Sequence, residues 1–227
     1  MPSVLITGAN RGLGLQFARE YAQAGWRVHA ACRRPAEAGA LAELARDAGV
    51  NLLQIDVGAP PTIAAAAASV RESLDVLINC AGVMGQRRPF GSTDYAAFEE
   101  VLRVNTVGPL RVSEAFAEHV ARSERRVLVT ITSGLGSIGN NTSGGWLAYR
   151  TSKAAVNMVM RSLAVELAPR GITCVVVNPG WVQTDMGGAN APLTPGESVG
   201  AMRALIERLR PADSGAFFNY DGKPLPW

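Results

Sequence analysis

Residues that build metal sites and disulfide frameworks are scarce in this sequence. It has three cysteines and two histidines among 227 residues and no CxxC pair, and the histidines, His29 and His119, are far apart. A metal site is therefore not expected. Each cysteine lies in or beside an apolar, strand-like run, which favours reduced and buried thiols in a cytoplasmic protein. The cysteines are Cys32, Cys80 and Cys174.

Long apolar runs and long runs of one charge are also missing. No stretch reaches the roughly 18 apolar residues that a membrane-spanning helix needs, and the first residues lack the pattern of a secretory signal. The net charge is only +3, and the arginine pairs are scattered along the chain. Scattered pairs are typical of a solvated surface, so we expect neither a membrane nor a nucleic acid as the main partner.

Strand-like and helix-like patterns alternate along the chain, and 48% of its residues are hydrophobic. Such alternation predicts an α/β fold, with helices on both faces of a parallel sheet. We predict a single domain over residues 1–227, with a Rossmann-type, doubly wound parallel sheet of about seven strands in the order 3-2-1-4-5-6-7. The predicted strands are 4–6, 28–32, 52–55, 76–78, 127–131, 172–177 and 216–218. The predicted helices include 36–48, a short one at 64–68, 95–122, 149–168 and 199–209, the last one after an interruption by Pro192 and Pro195.

A glycine-rich loop, TGANRGLG, follows the first predicted strand and begins the first helix. Its G-x-x-x-G-x-G spacing is one residue longer than the common dinucleotide fingerprint, and such a loop alone is sometimes only a turn. Between a strand and a helix, however, glycines let a diphosphate approach the backbone, and the helix N-terminus offers it free N–H groups. The loop residues predicted to bind the cofactor are Gly8, Asn10, Arg11, Gly12, Leu13 and Gly14.

The end of the second strand indicates which nicotinamide cofactor binds. An NAD site would place Asp or Glu here for the ribose hydroxyls, but the chain reads AACRR. Arg33 supplies a guanidinium where the 2′-phosphate of NADP(H) would lie, and Arg11 could approach the same phosphate. The alternative is that Arg33 is only a surface residue. The pattern favours NADP(H).

Tyr149 and Lys153 lie four residues apart on one predicted helix, so both side chains project from the same face. A free phenol has a pKa of about 10 and is a poor acid–base catalyst at neutral pH. We expect the neighbouring ammonium, aided by the positive charge of an oxidised nicotinamide, to lower this pKa. A YxxxK pair also arises by chance, as a buried tyrosine beside a surface lysine. Two further residues favour a catalytic site. Ser133, at the end of the fifth strand, could hold a substrate oxygen, and Asn105, in mid-helix, could hold a water that feeds protons to the lysine.

Further polar motifs lie at the ends of predicted strands, where open parallel sheets bind their ligands. NCAG, at residues 79–82, ends the fourth strand, and NPGWVQT, at residues 178–184, follows the sixth. Together with TGANRGLG, ITSGLGSI and YRTSK, these motifs occur in the order found in the short-chain dehydrogenase/reductase family. The sequence resembles that family over essentially its whole length.

This resemblance implies a role for each matched position. The residues that match the catalytic tetrad are Asn105, Ser133, Tyr149 and Lys153. The residues that match specific cofactor contacts are Asp56 and Val57 for the adenine, Val182 and Thr184 for the nicotinamide amide, and Arg33 for the 2′-phosphate. The other predicted cofactor-binding residues are Asn79, Ala81, Gly82, Tyr149, Lys153, Pro179 and Gly180.

Within the family, GGWLAYRTSKAAVN, NPGWVQTDMGG and YDGKPLPW resemble the branch of sniffer-type carbonyl reductases and the C-factor signalling protein. The sequence departs from the family pattern at Cys80, where a second asparagine is usual, and in the separation of Ser133 and Tyr149, which are 16 positions apart, a few more than usual. The glycine-rich insert 139–145 should bulge over the active site. We predict an apolar substrate pocket, although any one of its residues could be ordinary core: Met84, Phe90, Leu135, Trp146, Trp181 and Met186.

We therefore expect an NADP(H)-dependent oxidoreductase that acts on a small-molecule carbonyl/alcohol pair, with Tyr149 as general acid/base. The alternative is a non-enzymatic NADP(H)-binding signalling or sensor protein of the C-factor type. The resemblance also implies a homodimer or homotetramer formed through helices 95–122 and 149–168. Because some carbonyl reductases are monomers, the sequence leaves the oligomeric state open.

Overall fold

The core of the protein is a sheet of seven strands. The computed structural model describes residues 1–227. In chain order the strands are β1 (Ser3–Thr7), β2 (Arg27–Cys32), β3 (Asn51–Gln54), β4 (Val76–Asn79), β5 (Val127–Ile131), β6 (Thr173–Asn178) and β7 (Phe217–Asn219). They pair in the order β3-β2-β1-β4-β5-β6-β7, and every pair is parallel. The predicted fold class and strand order are therefore confirmed.

Helices cover both faces of this sheet. They are α1 (Gly12–Gln23), α2 (Gly39–Ala48), α3 (Pro60–Ser69), α4 (Tyr95–Leu102), α5 (Gly108–Ala121), α6 (Leu147–Glu166) and α7 (Pro195–Arg208). Apolar residues of α1, α2 and α7 form one buried cluster with the sheet, and those of α3, α5 and α6 form a second on the opposite face. None of the helices combines the length and the apolarity that crossing a membrane would require.

Strand β1 shows how the two clusters share one strand. Val4 and Ile6 pack into the cluster that contains α1 and α7, whereas Leu5, between them, packs into the other cluster. Because successive side chains point to opposite faces, a strand that is buried on both sides is apolar throughout. Polar side chains that do chemistry are therefore concentrated beyond the carboxyl ends of the strands.

The predicted helix 95–122 contains a π-helical turn that its apolar spacing does not reveal. Helix α4 leads into a π turn at Arg103–Val107 and then into α5. The N–H of Gly108 donates to the carbonyl of Arg103, five residues earlier, instead of the usual four. Such turns are frequent at functional sites, and this one contains Asn105.

The prediction that Pro195 interrupts the chain before the last helix is wrong, because this proline is the first residue of α7. The first residues of a helix have no intrahelical acceptor for their N–H groups, so proline loses nothing there. Thr194 caps the helix by accepting the N–H of Glu197, and the Glu197 carboxylate accepts the N–H of Thr194 in return. This capping box fixes the start of α7 at Pro195, four residues before the predicted start.

Candidate active site

The loops after β1 and β4 meet at the carboxyl edge of the sheet. The Thr7 hydroxyl accepts the backbone N–H groups of Cys80 and Ala81, at 3.0 and 3.2 Å. Gly8 has a φ of +69°, and a Cβ on it would lie 2.8 Å from the Cα of Ala81. Only glycine allows both this conformation and this approach. The glycine loop is thus held directly against the NCAG segment.

The N-terminus of α1 has the groups that a diphosphate requires. The first helical hydrogen bond runs from the N–H of Leu15 to the carbonyl of Arg11, and the N–H groups of Gly12, Leu13 and Gly14 have no acceptor within the protein. No side chain caps this helix, and its first turn contains no acidic residue. Free N–H groups and the positive end of the helix dipole together suit a bound anion.

The arginines near the predicted 2′-phosphate position differ in what they contact. Arg33 is exposed, and its guanidinium forms no ion pair or hydrogen bond. Arg34 is paired with Glu37 at 3.1 Å. Arg11 forms an ion pair with Asp185 at 2.8 Å, so its guanidinium is directed to the segment after β6. Of the three, Arg33 alone is available to a phosphate in this arrangement.

The end of β3 leads directly into the predicted adenine contacts. Asp56 lies in a turn in which one of its carboxylate oxygens accepts the N–H of Gly58 at 2.9 Å. Val57 is buried, and a Cβ on Gly108 would lie 2.9 Å from its side chain. Val57 therefore packs against the start of α5, and the second carboxylate oxygen of Asp56 accepts no hydrogen bond within the protein.

The NCAG motif predicts that Asn79 contacts the cofactor, but the hydrogen bonds of its side chain are made inside the protein. Its side chain is buried, and its amide donates to the hydroxyls of Ser113 and Thr130 at 3.1 and 3.3 Å. Both partners lie behind the cleft, on α5 and β5. The Asn79 side chain therefore joins the sheet to α5, and a contact with the cofactor would have to come from its backbone.

Tyr149 and Ser133 meet where β5 ends and α6 begins. Tyr149 is buried, and burial raises the pKa of its phenol above the usual value, whereas a hydrogen-bonding interaction with the Ser133 side chain acts to lower this pKa. The Ser133 oxygen accepts the N–H of Leu135 at 3.1 Å. Its own hydrogen is then free to be donated to a second oxygen, since a hydroxyl is both an acceptor and a donor.

Lys153 lies beneath the phenol, with its ammonium 5.7 Å from the centre of the Tyr149 ring. The ammonium donates to the carbonyl of Ile131 at 2.9 Å. Burial lowers the pKa of Lys153 to about 8, and interaction with Cys80 opposes this effect. The predicted lowering of the phenol pKa by this lysine is not found in the protein alone, because desolvation of Tyr149 is the dominant effect.

The side-chain amide of Asn105 forms three hydrogen bonds within the protein. Its oxygen accepts the N–H of Val83 at 2.8 Å, and its nitrogen donates to the carbonyl of Val83 and to the hydroxyl of Ser152 at 2.7 and 3.0 Å. Ser152 in turn donates to the carbonyl of Tyr149. These bonds join the segment after β4 to α6. The amide nitrogen is fully used within the protein, whereas the oxygen, which accepts one hydrogen bond, keeps a second lone pair, and the role of holding a water stays a prediction.

The segment after β6 closes the other side of the cleft. The carbonyl of Pro179 accepts the hydroxyl of Ser198 on α7 at 2.7 Å, and Gly180 has a φ of +80°. Val182 is buried, and the Thr184 oxygen accepts the N–H of Gly187 at 3.1 Å. The methyl group of Thr184 would lie 3.5 Å from a Cβ on Gly12, so this segment faces the glycine loop.

The six residues of the predicted apolar pocket do not form one enclosed wall. Met84, Leu135 and Trp146 are half-buried. Phe90 is fully exposed, and Trp181 and Met186 are 58% and 43% exposed. Because Phe90 packs against nothing, it encloses no cavity in this structure. Trp146 has a φ of +47° at the start of α6, which is unusual for a bulky residue.

The short chain dehydrogenase family model matches residues 2–192 of this sequence. The chain belongs to the short-chain dehydrogenase family. Among solved structures it is similar to the carbonyl reductase Sniffer of D. melanogaster, with 35% identity, a TM-score of 0.94 and 100% of both chains covered. It is equally similar to the NADPH-bound carbonyl reductase from chicken fatty liver, with 36% identity, a TM-score of 0.94 and coverage of 100% of this chain and 99% of that one.

A signalling protein is also among the relatives of this short-chain dehydrogenase. The C-signal protein of Myxococcus xanthus is 46% identical over 154 residues, which cover 68% of this chain and 93% of that protein. The resemblance to the branch with sniffer-type carbonyl reductases and the C-factor protein is thereby confirmed.

Two asparagines at the site of this short-chain dehydrogenase have no role predicted from the sequence. Asn178 accepts the N–H of Gly134 at 2.9 Å and donates to the side chain of Asn219 at 2.8 Å, which links the turn after Ser133 to the ends of β6 and β7. Asn157 lies on α6, one turn beyond Lys153. A polar residue between the apolar Val156 and Met160 is the signal that could have singled it out.

Replacing Lys153 with methionine should stabilise this short-chain dehydrogenase at pH 7 by roughly 1–3 kcal/mol, since each unit of pKa shift corresponds to about 1.4 kcal/mol. The pKa of Lys153 falls to about 8 in the folded protein, so below pH 8 the fold carries a buried charge that the unfolded chain would hydrate. The advantage of the variant should shrink as the pH rises above 8, because the wild-type lysine then becomes neutral. Urea unfolding at pH 7 and pH 9.5 measures both effects.

The chain offers a matched control in Lys223, which is its only other lysine and is exposed. Lys223→Met should leave the free energy of unfolding nearly unchanged at both pH values. A Lys153→Met variant that is less stable than wild type at pH 7 would mean that the hydrogen bond to Ile131 outweighs the cost of burying the charge.

Proposed function

We propose that this short-chain dehydrogenase is an NADPH-dependent carbonyl reductase in which Tyr149 is the proton donor. One observation carries the proposal. A buried phenol lies between the Ser133 hydroxyl and the Lys153 ammonium. It lies at the carboxyl edge of the sheet, where α1 begins with an uncapped N-terminus. This arrangement places a proton donor beside a site that suits a dinucleotide diphosphate, and the likeness to NADPH-bound carbonyl reductase supports it.

The residues present fit NADP(H). The free N–H groups at Gly12, Leu13 and Gly14 would hold the diphosphate, and the unpaired guanidinium of Arg33 would hold the 2′-phosphate. When bound, NADPH supplies the hydride that reduces the carbonyl carbon. Side chains of this protein would orient the substrate oxygen and protonate it.

Ser133 and Tyr149 have different roles at the substrate oxygen, which are orientation and protonation. The Ser133 hydroxyl, whose oxygen is already occupied by the N–H of Leu135, donates its hydrogen to the carbonyl oxygen and orients it. Tyr149 donates the proton that turns this oxygen into a hydroxyl, a contribution of roughly 10²–10⁴ in rate for a well-placed general acid. Lys153 keeps its ammonium beneath the phenol through the hydrogen bond to Ile131.

In the protein alone, burial raises the pKa of Tyr149, so the phenol keeps the proton that reduction of a carbonyl consumes. The same group would accept the proton in the reverse reaction, the oxidation of an alcohol.

The direct test is to measure NADPH oxidation at pH 7 with a panel of small aldehydes, ketones and quinones. We expect turnover with at least one member of this panel, and slower reaction with NADH because Arg33 would then have no phosphate to bind. Tight NADPH binding without turnover across the whole panel would sink the proposal.

That last outcome would favour the second candidate, a protein that binds NADP(H) and signals without catalysis. The 46% identity to the C-signal protein is the observation in its favour. The proximity of Ser133, Tyr149 and Lys153 argues against this second candidate, because a protein that only binds the cofactor does not need a paired hydroxyl and phenol. Fold alone does not decide between the two functions.

A further inference from the structure

A buried pair of hydrogen bonds joins the end of β5 to α6, close to the catalytic residues but separate from them. The Thr132 hydroxyl donates to the side-chain oxygen of Asn157 at 2.6 Å, and the Asn157 nitrogen donates to the carbonyl of Gly136 at 3.3 Å. Both side chains are buried, at 2% and 3% exposure. Neither reaches the cleft, so neither can touch a substrate.

These bonds hold the two segments that carry the catalytic groups. Thr132 immediately precedes Ser133, and Gly136 closes the turn that follows it, with its N–H donated to the carbonyl of Ser133 at 2.9 Å. Asn157 lies one helical turn after Lys153 on α6. The turn also packs tightly on the helix, because a Cβ on Gly136 would lie 2.8 Å from the Cβ of Lys153.

We propose that Asn157, acting through Thr132 and Gly136, is a positioning residue that holds the Ser133 hydroxyl against the Tyr149 phenol. The inference rests on the proposed carbonyl reduction. Ser133 and Tyr149 come from different elements, so their separation depends on how the turn 133–136 sits on α6. Displacement of a catalytic group by about 1 Å can cost as much as 10²-fold in rate.

The polar character of this contact points to positioning rather than to filling of the core. Val156 and Met160, its neighbours on α6, are buried apolar residues, and an apolar residue at 157 would leave the carbonyl of Gly136 without its hydrogen-bond donor. A buried amide is tolerated only when its hydrogen bonds are made, and those bonds have a fixed direction and length. Asn157 therefore fixes the position of the turn 133–136 relative to α6. Dispersion contacts alone have no such direction and would allow the turn to shift.

The test compares Asn157→Ala and Thr132→Val with Thr132→Ser, which keeps the hydroxyl. The control is Ser123→Ala, which removes a buried hydroxyl that accepts the N–H of Arg126 before β5, at the opposite edge of the sheet. We expect kcat for carbonyl reduction to fall about ten-fold or more in the first two variants, while the Kd for NADPH changes less than two-fold. Thr132→Ser should retain most of the activity, and Ser123→Ala should lower the melting temperature without changing kcat.

The pH profile of kcat separates positioning from a general loss of stability. The interaction with Ser133 lowers the pKa of Tyr149, so displacement of Ser133 should move the apparent pKa of the phenol upward in Asn157→Ala. The other titratable groups near the phenol are Lys153 on the same helix and Cys80, which interacts with Lys153 from the segment after β4. Both should be unchanged by the substitution.

Two results would overturn the inference. One is a kcat for Asn157→Ala and Thr132→Val no lower than that of Ser123→Ala, and the other is a Thr132→Ser variant as slow as Thr132→Val. A failure of the underlying reaction looks different, because then the wild-type protein shows no turnover with the panel or Tyr149→Phe remains fully active.

Discussion

Replacing Tyr149 with phenylalanine should lower kcat for carbonyl reduction by about 10²–10⁴-fold, which is the usual contribution of a general acid. Phenylalanine keeps the ring that packs at the start of α6 and removes only the hydroxyl. The Kd for NADPH, measured by the change in its fluorescence on binding, should therefore stay within a few-fold of wild type. A loss of kcat with an intact Kd would show that the hydroxyl acts in the chemical step.

A second buried tyrosine provides the control for this experiment. Tyr21 lies on α1 in the cluster on the other face of the sheet, and its side chain is completely buried. Tyr21→Phe removes the same atom from a comparable environment, and it should leave kcat unchanged. If Tyr149→Phe retained a kcat near that of wild type, another group would have to supply the proton, and the proposed mechanism would fail.

Replacing Arg33 with aspartate should weaken NADPH binding by roughly 10²-fold, since a charge-assisted hydrogen bond contributes about 1.5–3 kcal/mol and each 1.4 kcal/mol is a factor of ten. The Kd for NADH should change little or even fall, because aspartate can accept the ribose hydroxyls. Arg33 is exposed, so the preference for NADPH should also decline as salt is added. Titrations of both cofactors at low and high ionic strength measure these effects.

Arg122→Asp is the charge-matched control, because it changes the net charge by the same amount. Arg122 is exposed at the C-terminal end of α5, at the edge of the sheet away from the cofactor cleft. This variant should bind NADPH almost as tightly as wild type. Equal weakening of NADPH and NADH by Arg33→Asp would remove the role of this arginine in selecting the cofactor.

The alternation of strands and helices was predictable because most elements have a clear local signature, and the strand order followed from the Rossmann-type fold that this alternation and the glycine loop indicate. The continuous apolar run of β1 and the glycine loop after it identify a strand and a helix start without any tertiary information. The π turn at Arg103–Val107 has no such signature, since its residues would also suit an ordinary helix. Its effect appears only when Asn105 meets Val83 across the fold.

Electrostatics was the part of the site that local reasoning described least well. The spacing of Tyr149 and Lys153 correctly predicts that they share a helix face, and the ammonium indeed lies near the ring. In the protein alone the pKa of Tyr149 is raised, because the rest of the fold removes water from the phenol, whereas the predicted lowering also involves the positive charge of an oxidised nicotinamide. Sequence spacing contains no measure of that desolvation.

The sequence by itself determined the α/β class, the strand order, the family and the identity of the groups that carry the proposed chemistry. The class and the chemical groups follow from residue types and short-range spacing, whereas the family and the strand order follow from the order of the motifs along the whole chain. Only the tertiary structure decided which polar groups are free and which are already bonded, such as the unpaired Arg33, the Arg11–Asp185 ion pair and the Thr132–Asn157 hydrogen bond. The partners in these contacts are separated by 25 to 174 positions, and they meet only because parallel strands bring their carboxyl ends to one edge.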